Sequence, residues 1–167
     1  VLDIDKFSER DFGQGTSPTQ NDLLNPNFKA RKDDIFGYRF NINVKSANAW
    51  LQNEYSYSNI DFFYATQLSY SSFQRVGYMK NGRYPNNSYG KGQEHHFVDY
   101  AFKGGLTYKF NGRHLLNAKI SYQTQAPVAN DTYISPRVSD LTFEDLKSAK
   151  ILSTDISYIF SLPKLNG

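Results

Sequence analysis

Few side chains in this sequence stand at spacings that support chemistry. His95 and His96 invite a metal site, but neighbouring residues of a strand point to opposite faces and cannot easily share one ion. They are expected to be exposed loop histidines. The chain has no Cys, which removes thiolate metal sites and disulfides. It contains no His-x-x-Glu-His, no Gly-x-Ser-x-Gly and no phosphate loop. Glu144 and Asp145 fall in an expected helix cap or solvated face. Asp99 and Asp155 share a polar face with Lys103, Lys109 and Lys119, where ion pairing is expected rather than general acid–base work. No enzyme activity, metal ligand or cofactor is therefore expected, and recognition is what remains. Arg75, Tyr78, Arg83, Tyr84 and Tyr89 lie in one polar, glycine-rich stretch, and Tyr133 and Arg137 in another. Arginine and tyrosine combine hydrogen bonding with stacking, which suits ferric chelates, glycans or peptides. The alternative is that these residues pack the loops against one another.

The elements that must hold these residues read as strands. Residues 96–125 form two strands joined at Asn111-Gly112, a dipeptide suited to the positive φ angles of a type I′ turn. Before the turn Val98, Tyr100, Phe102, Leu106, Tyr108 and Phe110 alternate with Asp99, Lys103, Thr107 and Lys109. After it Leu116, Ala118, Ile120 and Tyr122 alternate with Asn117, Lys119, Ser121 and Gln123. Side chains of a strand alternate between faces, so one face is apolar and aromatic and the other polar and charged.

Upstream, residues 1–33 show no sustained period and read as a long irregular loop. An extended pattern begins at Asp34, with Phe36, Tyr38, Phe40, Ile42 and Val44 as the apolar set. The parity then slips to Ala47, Ala49, Leu51, Tyr55 and Tyr57, which predicts a β-bulge near residues 45–48 or, alternatively, a hairpin there. Ser58 to Asp61 is a turn, and a strand follows from Phe62 that ends around Phe73 to Arg75. Residues 74–96 and 126–149 read as two further long loops, the second containing a short helix from Leu141 with Thr142 as its N-cap. Lys150–Phe160 is the last strand, with Leu152, Ile156 and Tyr158 opposite Ser153, Asp155 and Ser157, and it ends in a compact turn.

The totals narrow the class. A net charge of +3, from 19 basic and 16 acidic residues, is too mild and mixed for a nucleic-acid partner. No run of about 18 apolar residues exists, which excludes a transmembrane helix. A mean hydropathy of −0.63 still permits a transmembrane barrel, where half of each strand faces water. With 13 Tyr and 13 Phe the chain is rich in the residues that form barrel girdles. Connections alternate long and short, so in a meander every long loop lies at one end, as in outer-membrane barrels. The fold class expected is all-β, an antiparallel up-and-down meander. Five or six strands cannot close a transmembrane barrel, so a membrane sheet of this length would belong to something larger. A soluble antiparallel sheet, including a carbohydrate-binding module with tyrosine platforms, is the competing arrangement, and a passive outer-membrane channel is another.

Several stretches carry a likeness. Asn81-Gly82-Arg83-Tyr84-Pro85-Asn86-Asn87-Ser88-Tyr89-Gly90, Lys103-Gly104-Gly105-Leu106-Thr107-Tyr108-Lys109 and Asn111-Gly112-Arg113-His114 are its strongest parts. Ala126-Pro127, Ile134-Ser135-Pro136-Arg137 and Leu146-Lys147-Ser148 extend it; the family often has Glu where Ala149 stands. From about Tyr38 to Gly167 the sequence resembles the barrel of a TonB-dependent outer-membrane receptor of the Bacteroidetes type. The resemblance implies one part of a 22-stranded transmembrane β-barrel, with neither plug nor TonB box within these residues. Residues 1–33, 74–96 and 126–149 would be extracellular loops. Tyr100, Phe102, Leu106, Tyr108, Leu116, Ile120, Tyr122, Ile156 and Tyr158 would face lipid, and Asp99, Lys103, Lys109, Lys119 and Asp155 the lumen. The implied activity is active import of a bulky nutrient (ferric siderophore, glycan, peptide or cobalamin-like) across the outer membrane. Implied partners are outer-membrane lipid, the TonB complex through an N-terminal part, the extracellular nutrient and a surface lipoprotein.

Overall fold

The computed structural model describes residues 1–5 and 20–162. Residues 6–19 of the first connection and 163–167 of the final turn lie outside the described residues. The chain is all-β and antiparallel. Two short strands, β1 (Leu2–Asp3) and β2 (Lys29–Ala30), pair with each other. Five long strands follow: β3 (Phe40–Ser56), β4 (Ile60–Gly77), β5 (Gly90–Asn111), β6 (His114–Gln125) and β7 (Ala149–Phe160). They lie side by side in sequence order, and the sheet does not close on itself; β3 and β7 are its edges. This is the expected up-and-down meander. Among the described residues no helix is long and apolar enough to cross a membrane, which says nothing of strands.

Two compact units can be distinguished, the first comprising residues 1–45, 72–96 and 127–146 and the second residues 46–71, 97–126 and 147–167. In the first unit the core is made by loops and strand ends. Asp5 organises the N-terminal segment, its carboxylate accepting the amides of Asn21 (2.8 Å) and Asn27 (2.7 Å). Phe73, Arg75 and Tyr133 are buried here, with Tyr133 edge-on to Phe73 at 6.1 Å between ring centroids. The second unit is open sheet with few buried side chains, Phe97 and Asp99 among them.

Several boundaries differ from the sequence expectations. β3 starts at Phe40 rather than Asp34, because Gly37 adopts φ +84° and breaks the extended chain before it. It is one strand, neither a hairpin nor bulged near 45–48. The amide of Tyr57 donates to Ile60 at the turn, and that of Tyr78 donates to Arg39 at the far end. Arg39 to Tyr57 and Ile60 to Tyr78 are equal in length, which leaves no room for a net inserted residue. The apolar parity slips for a different reason. Phe40, Ile42 and Val44 share a face with Arg75, whose guanidinium stacks over the Phe40 ring at 5.2 Å, whereas Tyr55 and Tyr57 stack with Phe62 on the other. The strand is straight in register, and its buried side changes.

β4 and β5 run further than expected, so the connection read as 74–96 is residues 78–89, and that read as 126–149 is 126–148. Gln74 donates to the Gly92 carbonyl and the Ser72 hydroxyl to Glu94, extending the pairing through residues expected to be loop. The helix from Leu141 is absent: Thr142 bridges to Tyr133, and Asp145 takes φ +57°. A single turn of 3-10 helix at Ala129–Thr132 lies nearby instead. The tight turn of the central hairpin sits at Gly112-Arg113, with Asn111 paired to His114 after a register shift at Lys109. None of Asn111, Gly112 and Arg113 has positive φ, so the turn is not type I′. The Asn111 side-chain oxygen closes it by accepting the amides of Arg113 (2.9 Å) and His114 (3.1 Å).

Candidate functional site

In the second unit, register fixes which residues share a face. Phe102 stands opposite Tyr122, Leu106 opposite Ala118 and Tyr108 opposite Leu116 across β5 and β6. Across β6 and β7, Leu116 meets Tyr158, Ala118 meets Ile156 and Tyr122 meets Leu152. All nine residues expected on the apolar face therefore share one side of the sheet. No described residue covers it: Tyr100, Phe102, Leu106 and Ile120 are 40, 54, 43 and 56% exposed, and Ile156 is 78% exposed. The bare area is on the order of 1,000 Å², beyond the few hundred Å² that soluble monomers usually expose. Aromatic rings gather toward the short-turn end, where Tyr108 meets Phe110 at 4.8 Å and His114 stacks on Phe160 at 4.7 Å. His114 is also hydrogen-bonded to the Tyr158 hydroxyl.

The opposite face carries Asp99, Lys103, Lys109, Lys119 and Asp155, with the apolar Leu115, Ile151 and Ile159 in the same phase, and the pairings differ from those expected. Lys109 bonds Asp61 at 2.7 Å, and Asp61 also accepts the Ser56 hydroxyl. Lys119 stands opposite Asp155 in register. Lys103 lies over the Phe63 ring at 5.9 Å, which in turn fills the space left by Gly105. Asp99 is buried and holds the backbone instead, accepting the Ala126 amide at 2.9 Å. An exposed Trp50, which the sequence reading passed over, stands on this polar side. With Gln52, Gln67, Lys103, Ser121 and Gln123 it lines a groove of about 290 Å³. Its signal in the sequence was its even position in β3, the polar phase of the strand below Lys45.

Of the seven loop residues read as ligand contacts, Arg75 is brought together with Tyr133 and Arg83 with Tyr84. Arg75 and Tyr133 belong to the core of the first unit. The Arg75 guanidinium donates to the carbonyls of Pro136 (2.7 Å) and Ser88 (3.0 Å), tying two connections to β4. Burial lowers the pKa of Arg75, with Asp140 and Tyr133 opposing, and burial pushes the Tyr133 phenol up. The other five are partly or fully exposed. Tyr78 carries Arg39 over its ring at 5.2 Å and its hydroxyl accepts from Asn41, Arg137 lies over Tyr38 at 5.2 Å, and Arg83 over Tyr84 at 5.8 Å. Tyr89 is 55% exposed. Tyr38 and Arg39 thus join the exposed set, having been read as strand residues. His95 is not a free loop histidine: it lies on β5 against Phe73 at 5.3 Å, and burial, then His96, lowers its pKa. Among the described residues no three His, Cys, Asp or Glu side chains converge to hold a metal ion.

No family model, curated protein or solved structure matches the chain.

Proposed function

We propose that this chain is a wall segment of an outer-membrane β-barrel, part of a TonB-dependent importer of a bulky nutrient. One observation carries the reading: the sheet turns a broad, uncovered apolar face one way and a polar, charged face the other. On β5 the apolar residues run from Val98 to Phe110, about 40 Å along the strand, or about 30 Å at a tilt of about 40°. That matches a hydrocarbon core of about 30 Å. Two unpaired edges, β3 and β7, call for neighbouring strands, since backbone groups left unpaired in lipid cost several kcal/mol each.

The importer identity rests on the sequence likeness, with nutrient binding at the loops and no catalytic step. Fractionation of the full-length protein tests the membrane part: recovery in the outer membrane, with heat-modifiable migration, is expected. Recovery in the soluble fraction without detergent would favour a sheet-based binding module. Uptake that persists in a strain lacking TonB would favour a passive channel.

A further inference from the structure

The apolar face of the second unit is almost free of charge. Glu54, Asp61, Asp99 and Asp155 all fall in the phase of their strands that makes the opposite face, with Lys103, Lys109 and Lys119. Among the described strand residues Lys150, at the start of β7, is the exception. It pairs with Thr124, one step beyond the Leu152–Tyr122 pair, and so stands in the apolar phase at its loop-side rim. Among the described residues no carboxylate lies within ion-pair distance of it. A lone ammonium bordering an apolar surface takes its counter-ion from the surroundings.

The groups around it are donors. Thr124 Oγ1 accepts the Tyr100 amide at 3.0 Å, leaving its own proton to point elsewhere. The Tyr100 and Tyr122 rings are 6.1 Å apart, and each phenol carries a proton that it can donate. Below them lie Phe102 and Leu152, 54 and 67% exposed. A donor-rich cluster at the edge of bare hydrocarbon-like surface fits an amphiphile with an anionic head and an acyl tail. Height agrees as well. Thr154 is level with Ile120, in the middle of the apolar stretch, and Lys150 is four residues further along β7. That is about 13 Å along the strand and about 10 Å along the membrane normal, and the flexible stem adds roughly 5 Å more. The ammonium then reaches about 15 Å from mid-plane, the level of headgroup phosphates.

We propose that Lys150, Thr124 and Tyr122 form a binding site for the phosphate of a lipid headgroup. The inference rests on the lipid-facing reading of this sheet. To test it, full-length protein purified in a mild neutral detergent is titrated with dihexanoyl phosphatidic acid, dihexanoyl phosphatidylcholine and inorganic phosphate, and bound species are counted by native mass spectrometry. The wild type should retain the phosphatidic acid; Lys150→Ala should weaken this about fivefold and Lys150→Glu about thirtyfold. Tyr122→Phe, which keeps the packing, should give a smaller loss. Heat-modifiable migration verifies that each variant is folded. Unchanged retention in folded Lys150→Glu overturns the site while leaving the barrel reading intact. Inorganic phosphate binding as tightly as the lipid overturns the assignment to lipid. A protein that is soluble without detergent removes the barrel reading itself, and the site with it.

Discussion

Replacing Ile120 and its neighbour Ser121 by arginine, one at a time, separates the two faces of the sheet at a single height. Ile120 stands opposite Gly104 and Thr154. Gly104 is midway between Val98 and Phe110, about 20 Å along the strand from each and about 15 Å along the normal at a 40° tilt. On the proposed lipid-facing reading Ile120 lies near the centre of the hydrocarbon, where an arginine on the lipid side of a barrel costs about 2–4 kcal/mol. Ser121 points to the polar side, and Ser121→Arg should cost less than about 1 kcal/mol. A water-soluble sheet gives another answer. Ile120 is already 56% exposed, and a surface substitution there would stay within about 0.5 kcal/mol. The assay is a denaturant titration of the full-length protein folding into lipid vesicles, compared at equal slope. Equal costs for Ile120→Arg and Ser121→Arg would refute the reasoning, whatever their size.

Other outcomes follow from named contacts. Arg75→Met strips two carbonyls, the buried Ser88 and the half-buried Pro136, of their donor and should cost about 2–5 kcal/mol. Faster amide exchange in 78–89 and 126–148 should accompany it, and unchanged exchange would show that Arg75 does not tie these loops. Gly105→Ala places a methyl 2.3 Å from the Phe63 ring and should destabilise by about 1–3 kcal/mol, with recovery in the Phe63→Leu background. Additive effects in the double variant would contradict that contact. Among the exposed loop residues, Arg83→Ala, Tyr84→Ala and Arg137→Ala should lower nutrient affinity by about 1 kcal/mol or more. Uptake unchanged in all three would retire them as ligand contacts.

The sequence carried the second unit well and the first poorly, for a physical reason. Between Val98 and Phe110, between Leu116 and Tyr122, and in Leu152, Ile156 and Tyr158, each face meets one environment throughout, so alternation alone gives strand, face and neighbour. From Phe40 to Val44 and from Ser72 to Gly77 the environment on each face changes. Reading a parity slip as a change in the chain, rather than in its surroundings, led to the expected bulge. The strand ends through Gln74 and Gly92 looked like loop because glycine and polar residues there pair beneath other loops, not against a broad apolar layer. Arg75 shows the same limit: a guanidinium in a polar stretch looks solvent-bound until two distant carbonyls, Ser88 and Pro136, are brought to it. At the central turn, the Asn111 side chain made the hydrogen bonds that Asn-Gly backbone preference had been expected to supply.

What touches the apolar face decides between a membrane wall and a water-soluble sheet. Nitroxide probes at positions 120 and 121 of the full-length protein in native-like vesicles address it through collisions with oxygen and with a neutral nickel chelate. A probe at 120 that favours oxygen strongly, beside one at 121 that favours the chelate, is the predicted result. Chelate-dominated collisions at both positions would contradict a lipid-facing wall.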